Sequence, residues 1–274
     1  MSQSVTTAVI AAAGSATRMW PASRVVPKEL FPLGKVPAIV HLIWEFMEVG
    51  VRRIVIVVSQ ENGALVKALL DPSVSPPPKM VNDPAVQRFL EMFKQVEFVF
   101  IPQTGNYGNG TPLILAADIV GAEPCLYAFG DDIVFGENIS RVLIDTFHRT
   151  GAPALAAQPV EPSRKSSFGV LECREQDGIQ YVSRLIEKPA PGETPSNLAS
   201  FGRYLVTPEL MVLLRKTTRG KDNEVWFVDA VIQRIKDGNP VCAVTLTTGK
   251  WYTVGDPASY ADAVRACAVG VAPK

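Results

Sequence analysis

Hydrophobic and polar positions fall into alternating blocks over the first half of the chain. Residues 6–12 (TTAVIAA) and 51–58 (VRRIVIVV) are short β-branched runs, and between them residues 36–49 (VPAIVHLIWEFMEV) repeat apolar positions at helical spacing. The runs predict strands and the longer stretch a helix, with Gly50 placed to stop it. The rhythm continues through a strand at 96–102 (VEFVFIP), a helix at 111–120 (TPLILAADIV) and a strand at 125–130 (CLYAFG). Strands alternating with helices predict an α/β fold of parallel strands joined by helical crossovers, with a ligand crevice at the carboxyl ends of the strands.

Residues 71–84 are rich in proline and lack apolar periodicity, so they predict an exposed excursion that a helix from Ala85 to Phe93 closes. After about residue 160 the pattern changes to a pair of strands around 168–173 and 179–188, followed by helices near 207–215 and 225–237. This part is expected to cap the crevice and carry a second substrate. No internal repeat interrupts the chain. At 274 residues and 47% hydrophobic it fits one large domain over 1–274 with a C-terminal extension.

Composition narrows the choice of ligand. Lysine plus arginine and aspartate plus glutamate each total 27, so no overall field draws the chain to nucleic acid or to an anionic membrane. An anion must therefore be held locally. The four cysteines, Cys125, Cys173, Cys242 and Cys267, form no CxxC pair, and His41 and His148 are the only histidines to complete a soft-metal site. Reduced, buried cysteines in a cytoplasmic protein are expected. No apolar run reaches the roughly 20 residues of a spanning helix, and the first residues lack the basic-then-apolar layout of a secretory signal, so a soluble, cytoplasmic protein is expected. His41, Trp20 and Trp44 are expected to pack.

Candidate chemistry appears where strands end. Residues 11–33 (AAAGSATRMWPASRVVPKELFPL) pass from a strand into small residues that let backbone amides approach a phosphate, then deliver Arg18 and Lys28. Gln103 follows another strand, where taken alone it reads as an ordinary solvated loop glutamine whose amide can both donate and accept. In Phe129-Gly130-Asp131-Asp132 a strand ends in two carboxylates, which suggests a hard cation. A single carboxylate such as Asp131 suffices when phosphate oxygens and water complete the shell of a magnesium ion.

In order along the chain, Gly14-Ser15-Ala16-Thr17-Arg18, Pro27-Lys28-Glu29, Gln103 with Gly108, Phe168-Gly169-Val170 and Ile186-Glu187-Lys188-Pro189 resemble the hexose-1-phosphate nucleotidyltransferases, in particular the bacterial UTP:glucose-1-phosphate uridylyltransferases. The resemblance covers nearly the whole chain. It implies a Rossmann-like nucleotidyltransferase fold, similar to that of the A-type glycosyltransferases, with a mixed, mainly parallel sheet. Residues up to about 150 would then bind a nucleoside triphosphate, and 151–274 a sugar 1-phosphate. It implies that Arg18, Lys28, Asp131 and Lys188 are catalytic, and that Mg2+ binds at Asp131. It further implies that Ala12, Ala13, Gly14, Ser15, Ala16, Thr17, Gln103 and Gly108 hold the nucleotide, and that Gly169, Glu187, Lys188 and Trp226 hold the sugar phosphate. Related enzymes are often dimers or tetramers, which leaves a homo-oligomer open.

Three departures qualify the resemblance. Ala16 replaces a glycine, and the loop is expected to survive with φ below zero at that residue. Trp226 and Val228 replace glutamine and threonine in the sugar segment. Thr253 stands in Trp251-Tyr252-Thr253 where the family has a second acidic metal ligand, so either Asp131 with phosphates and water holds the metal, or Asp132 or Asp256 assists, or metal affinity and turnover are weakened. Two alternatives stay open: a thymidylyl-, guanylyl- or cytidylyltransferase for another sugar or cyclitol phosphate, and a catalytically weak regulatory protein that binds nucleotide.

Overall fold

A computed structural model describes residues 3–61, 63–105, 107–217 and 224–268. The N-terminal half builds β1 (Thr7–Ala12), the short pair β2 (Pro32–Leu33) and β3 (Val36–Pro37), α1 (Ala38–Glu48), β4 (Arg53–Val58), α2 (Gly63–Leu69), α3 (Pro84–Gln95), β5 (Glu97–Pro102), α4 (Thr111–Val120), β6 (Cys125–Phe129), β7 (Asp132–Phe135) and α5 (Ile139–Thr150). The C-terminal half adds β8 (Ala154–Pro159), β9 (Gly169–Gln176), β10 (Ile179–Glu187), β11 (Leu198–Val206), α6 (Pro208–Lys216), α7 (Phe227–Lys236), β12 (Cys242–Thr245), β13 (Lys250–Thr253) and α8 (Pro257–Ala268).

Both halves contribute to one nine-stranded mixed sheet of order β5-β4-β1-β6-β11-β8-β12-β10-β9. It is parallel across β5, β4, β1 and β6. Beyond β6 the pairings are antiparallel except for β8 with β12. Successive strand residues face opposite sides, so a sheet covered on both faces needs uninterrupted apolar strands. In β1, Ala8, Ile10 and Ala12 pack into the core that α1 and α5 share, whereas Val9 joins the core beneath α4, α6 and α7. The alternation explains why TAVIAA reads as a continuous run.

Local signals set the element ends. Gly50 has φ of +89° directly after α1. Asp83 caps α3 by accepting from the amides of Ala85 and Val86, and Pro84 follows at the first helical position. Among the described residues no helix is long and apolar enough to cross a membrane. Two expectations need correcting. Cys125 and Cys242 are buried, but Cys173 and Cys267 are half-buried; all four are free thiols. Trp44 packs in the core, whereas Trp20 is 67% exposed, because the strand-end loop carries it away from the sheet.

Candidate active site

The carboxyl ends of β1, β4, β5 and β6 open into two clefts, and Lys28, which lines neither, lies against Gly14 of one and Asp131 of the other. The first, about 660 Å3, lies over β1, β4 and β5 and is lined by Ala13, Gly14, Ser15 and Gln103, together with Trp20 and Tyr107. The second, about 1020 Å3, runs over β6 toward the C-terminal half. Arg18, Asp131, Glu187, Lys188, Trp226 and Thr253 line it, with Gly169 and Val228.

The loop after β1 is shaped for close approach. Ala12 ends the strand, buried, and Gly14 and Ser15 are exposed. Ala16 adopts φ 47° and ψ 41°, in the left-handed region, contrary to the expected negative φ. Here a glycine would avoid a steric cost of about 1–2 kcal/mol. Ala16 is held there because its carbonyl accepts from the amide of Met19 at 3.0 Å and from Ser23 Oγ at 2.9 Å. The turn that follows, Thr17–Met19, is a single 3-10 turn that carries Arg18.

Lys28 joins the two clefts. Its Nζ lies 2.5 Å from Asp131 Oδ2, and 3.6 Å from where a side chain at Gly14 would begin. Burial lowers the ammonium pKa, but the charges of Asp131 and Glu29 and the bond to Asp131 outweigh it, so Lys28 stays protonated. Glu29 is fully buried, and its Oε1 has no hydrogen-bond partner. Burial, opposed by the Lys28 charge, raises its carboxyl to about 7.

Asp131 also anchors the second cleft. Its carbonyl accepts from the amide of Val254 at 2.8 Å. A Cβ at Gly255 would meet Asp131 Oδ2 at 2.8 Å, Thr253 Oγ1 at 3.2 Å and Arg18 Nη2 at 3.3 Å. Gly255 therefore lets these three groups crowd together, a role that no motif had signalled.

The neighbouring acids are otherwise engaged. Asp132 accepts from the Gly202 amide at 2.8 Å and from Trp251 Nε1 at 2.9 Å. Burial and the adjacent Asp131 raise its pKa to about 6. Asp256 lines the cleft, but its carboxylate accepts from the Ser259 amide at 2.9 Å, at the start of α8. Burial raises its pKa, yet the Ser259 bonds and the charges of Arg18 and Arg164 leave it below the ordinary value. Thr253 Oγ1 accepts from the Gly255 amide at 3.2 Å. Among the described residues no group of three or more His, Cys, Asp or Glu side chains gathers to cage a metal. The donor set fits a hard cation that arrives on phosphate oxygens and takes one carboxylate, Asp131, from the protein.

In the C-terminal half, Gly169 pairs in register with Glu187 across β9 and β10. A Cβ at Gly169 would stand 2.9 Å from Glu187 Oε2, so glycine leaves room for that carboxylate. Lys188 has φ of +51°, a strained conformation for a residue with a side chain. Its amide donates to the Phe168 carbonyl at 3.0 Å, and its Nζ lies 5.1 Å from the centre of the Trp226 ring.

The two halves are stitched together by the loop at 107–110. The Val225 amide donates to the Tyr107 carbonyl at 3.0 Å, the Gly110 amide to the Val225 carbonyl at 2.9 Å, and the Phe227 amide to Asn109 Oδ1 at 2.8 Å. Gly108, with φ of +127°, packs against this segment, and a Cβ there would lie 2.2 Å from the Val225 carbonyl oxygen. It does not line the first cleft, although its neighbour Tyr107 does.

Residues 7–269 match the nucleotidyl transferase family. The chain is 31% identical over 256 residues to a UTP--glucose-1-phosphate uridylyltransferase of Bacillus subtilis, covering 91% of this chain and 86% of that protein. It is 31% identical over 241 residues to the protein of the same name from Streptococcus pneumoniae, covering 84% and 80%. A crystal structure of UDP-glucose pyrophosphorylase complexed with UDP-glucose superposes with a TM-score of 0.87 at 26% identity, over 96% of this chain and 98% of that one. With a family match that spans almost the whole chain and relatives of 31% identity, the chain belongs to the nucleotidyl transferase family and is a nucleotidyltransferase.

Proposed function

We propose that this protein transfers a uridylyl group from UTP to glucose 1-phosphate, giving UDP-glucose and pyrophosphate in the cytoplasm. The observation that carries the reading is that Arg18, Asp131 and Lys188 line one cleft while Lys28, bonded to Asp131, borders the adjoining one. The names of the relatives supply the substrate pair, and the cation distribution supports it.

In the reaction a phosphate oxygen of glucose 1-phosphate attacks the α-phosphorus of UTP, the new P–O bond forms opposite the bond to the β-phosphate, and pyrophosphate leaves with its electron pair. The attacking oxygen is already anionic, so no general base is required. Gly14 and Ser15 present backbone amides to the triphosphate, and Gln103 meets the base edge from its place in the same cleft. Arg18 and Lys28 neutralise charge that builds on the departing pyrophosphate. Lys188 grips the sugar phosphate and offsets the repulsion between two anionic substrates. Glu187 accepts from sugar hydroxyls, and Trp226 forms an apolar wall behind them. Magnesium, held by Asp131 and by phosphate oxygens, would add further neutralisation of the triphosphate.

A second reading, another sugar or cyclitol phosphate as acceptor, is favoured by Trp226 and Val228, which line the acceptor cleft. Pyrophosphate release across a matrix of nucleoside triphosphates and sugar 1-phosphates tests both. The first reading predicts the highest kcat/KM for UTP with glucose 1-phosphate, and a clearly better acceptor would replace it with the second. Tight nucleotide binding with no release for any pair would sink both and leave a regulatory protein.

A further inference from the structure

Trp20 and Tyr107 are 67% and 60% exposed, and no other aromatic side chain among the described residues is as open to solvent. The fold buries its remaining aromatic rings to at least an intermediate degree, so two exposed rings need a reason beyond packing. They sit on different loops, yet both line the same 660 Å3 cleft as Gly14, Ser15 and Gln103. Trp20 follows β1 and Tyr107 follows β5, and β4 lies between these strands. Neighbouring strands are about 4.8 Å apart, so the two loops leave the sheet roughly 10 Å from each other. A planar base with one ring on each face occupies roughly 7 Å, twice an ordinary contact distance.

We infer that Trp20 and Tyr107 are the two walls of a base clamp, which stacks the nucleobase of the triphosphate between them while Gln103 reads its edge. The inference rests on the proposed nucleotidyl transfer, since the clamped ligand is the triphosphate substrate. Every base has a π-face, so stacking contributes affinity without choosing among bases. Discrimination is left to the Gln103 amide, with its one donor and one acceptor toward an imide edge.

Calorimetric titration of UTP, dTTP and inorganic tripolyphosphate into the wild type and into Trp20→Leu, Trp20→Phe and Tyr107→Ala tests the clamp. The expected result is binding of UTP and dTTP weakened by a common factor of about ten in Trp20→Leu and Tyr107→Ala, equivalent to about 1.4 kcal/mol. Trp20→Phe retains most of the affinity, and tripolyphosphate, which has no base, binds all four proteins alike. UTP also quenches tryptophan emission in the wild type and not in Trp20→Leu. Undiminished UTP binding in Trp20→Leu overturns the clamp and leaves nucleotidyl transfer standing. A wild type that binds tripolyphosphate but neither nucleotide overturns both.

Discussion

Glu29 is enclosed at the site and carries an oxygen that nothing satisfies, an arrangement that suits a neutral carboxyl better than a charged one. With its pKa raised by burial from 4.5 to about 7, its contribution to stability is complete below the unfolded value and is lost as pH rises through about 7. The loss amounts to roughly 3 kcal/mol at full ionisation. Glu29→Gln keeps the shape and removes the titration, so unfolding free energies of the two proteins at about pH 5 and pH 8 should show a flatter dependence in the variant. Equal slopes would refute the assignment. Ala16 gives a second test. Glycine there relieves the left-handed strain of about 1–2 kcal/mol and adds about 0.5–1 kcal/mol of unfolded-chain freedom, so Ala16→Gly should gain about 0.5 kcal/mol in a urea titration. A loss of stability would show that Ala16 is not in the left-handed region in solution.

Between elements, a buried ion pair links α1 to β11 and β7. Arg203, completely buried, donates Nε and Nη2 to the Glu45 carboxylate at 3.0 and 3.1 Å, and Nη2 also to the Asp132 carbonyl at 2.9 Å. Removing one partner leaves an uncompensated buried charge, so Arg203→Met should cost about 3–5 kcal/mol in thermal or chemical unfolding, and adding Glu45→Met should restore most of it. A double variant no better than the single one would mean that the pair itself is not the source of the loss. This network also marks where the sequence stops being legible. β1, α1, β4, α4 and β6 announce themselves because long apolar runs and a helical period are hard to form in any other way. β8, Ala154–Pro159, is half alanine with no β-branched residue, and β11 is interrupted by Gly202 and the buried Arg203, a residue type that ordinarily reads as surface. α5 and α8 went unread, although Asn138 caps α5 through the Arg141 amide.

Across the whole molecule, the site draws on segments more than 150 residues apart, from the loop after β1 to Lys188 and Thr253. Arg18, Lys28, Asp131 and Lys188 stand out in the sequence through the ordered motifs that resemble the family, and an isolated pair such as Glu187-Lys188 would otherwise read as a solvated strand end. Asn109 and Gly255 were not, since a cap and a crowding glycine acquire meaning only when distant strands meet. The loop at 107–110 binds the segment that carries Trp226, so one set of backbone bonds ties residues beside the two clefts to each other. The most direct test of that convergence follows α-phosphorus label from UTP onto glucose 1-phosphate in the presence of magnesium, for the wild type, Lys28→Ala and Lys188→Ala. The account predicts labelled UDP-glucose and equimolar pyrophosphate from the wild type. It predicts a fall in kcat of about 100-fold or more in Lys28→Ala, and a raised KM for glucose 1-phosphate with little change for UTP in Lys188→Ala. Transfer at the wild-type rate in Lys28→Ala, or no transfer of label by the wild type, would contradict it.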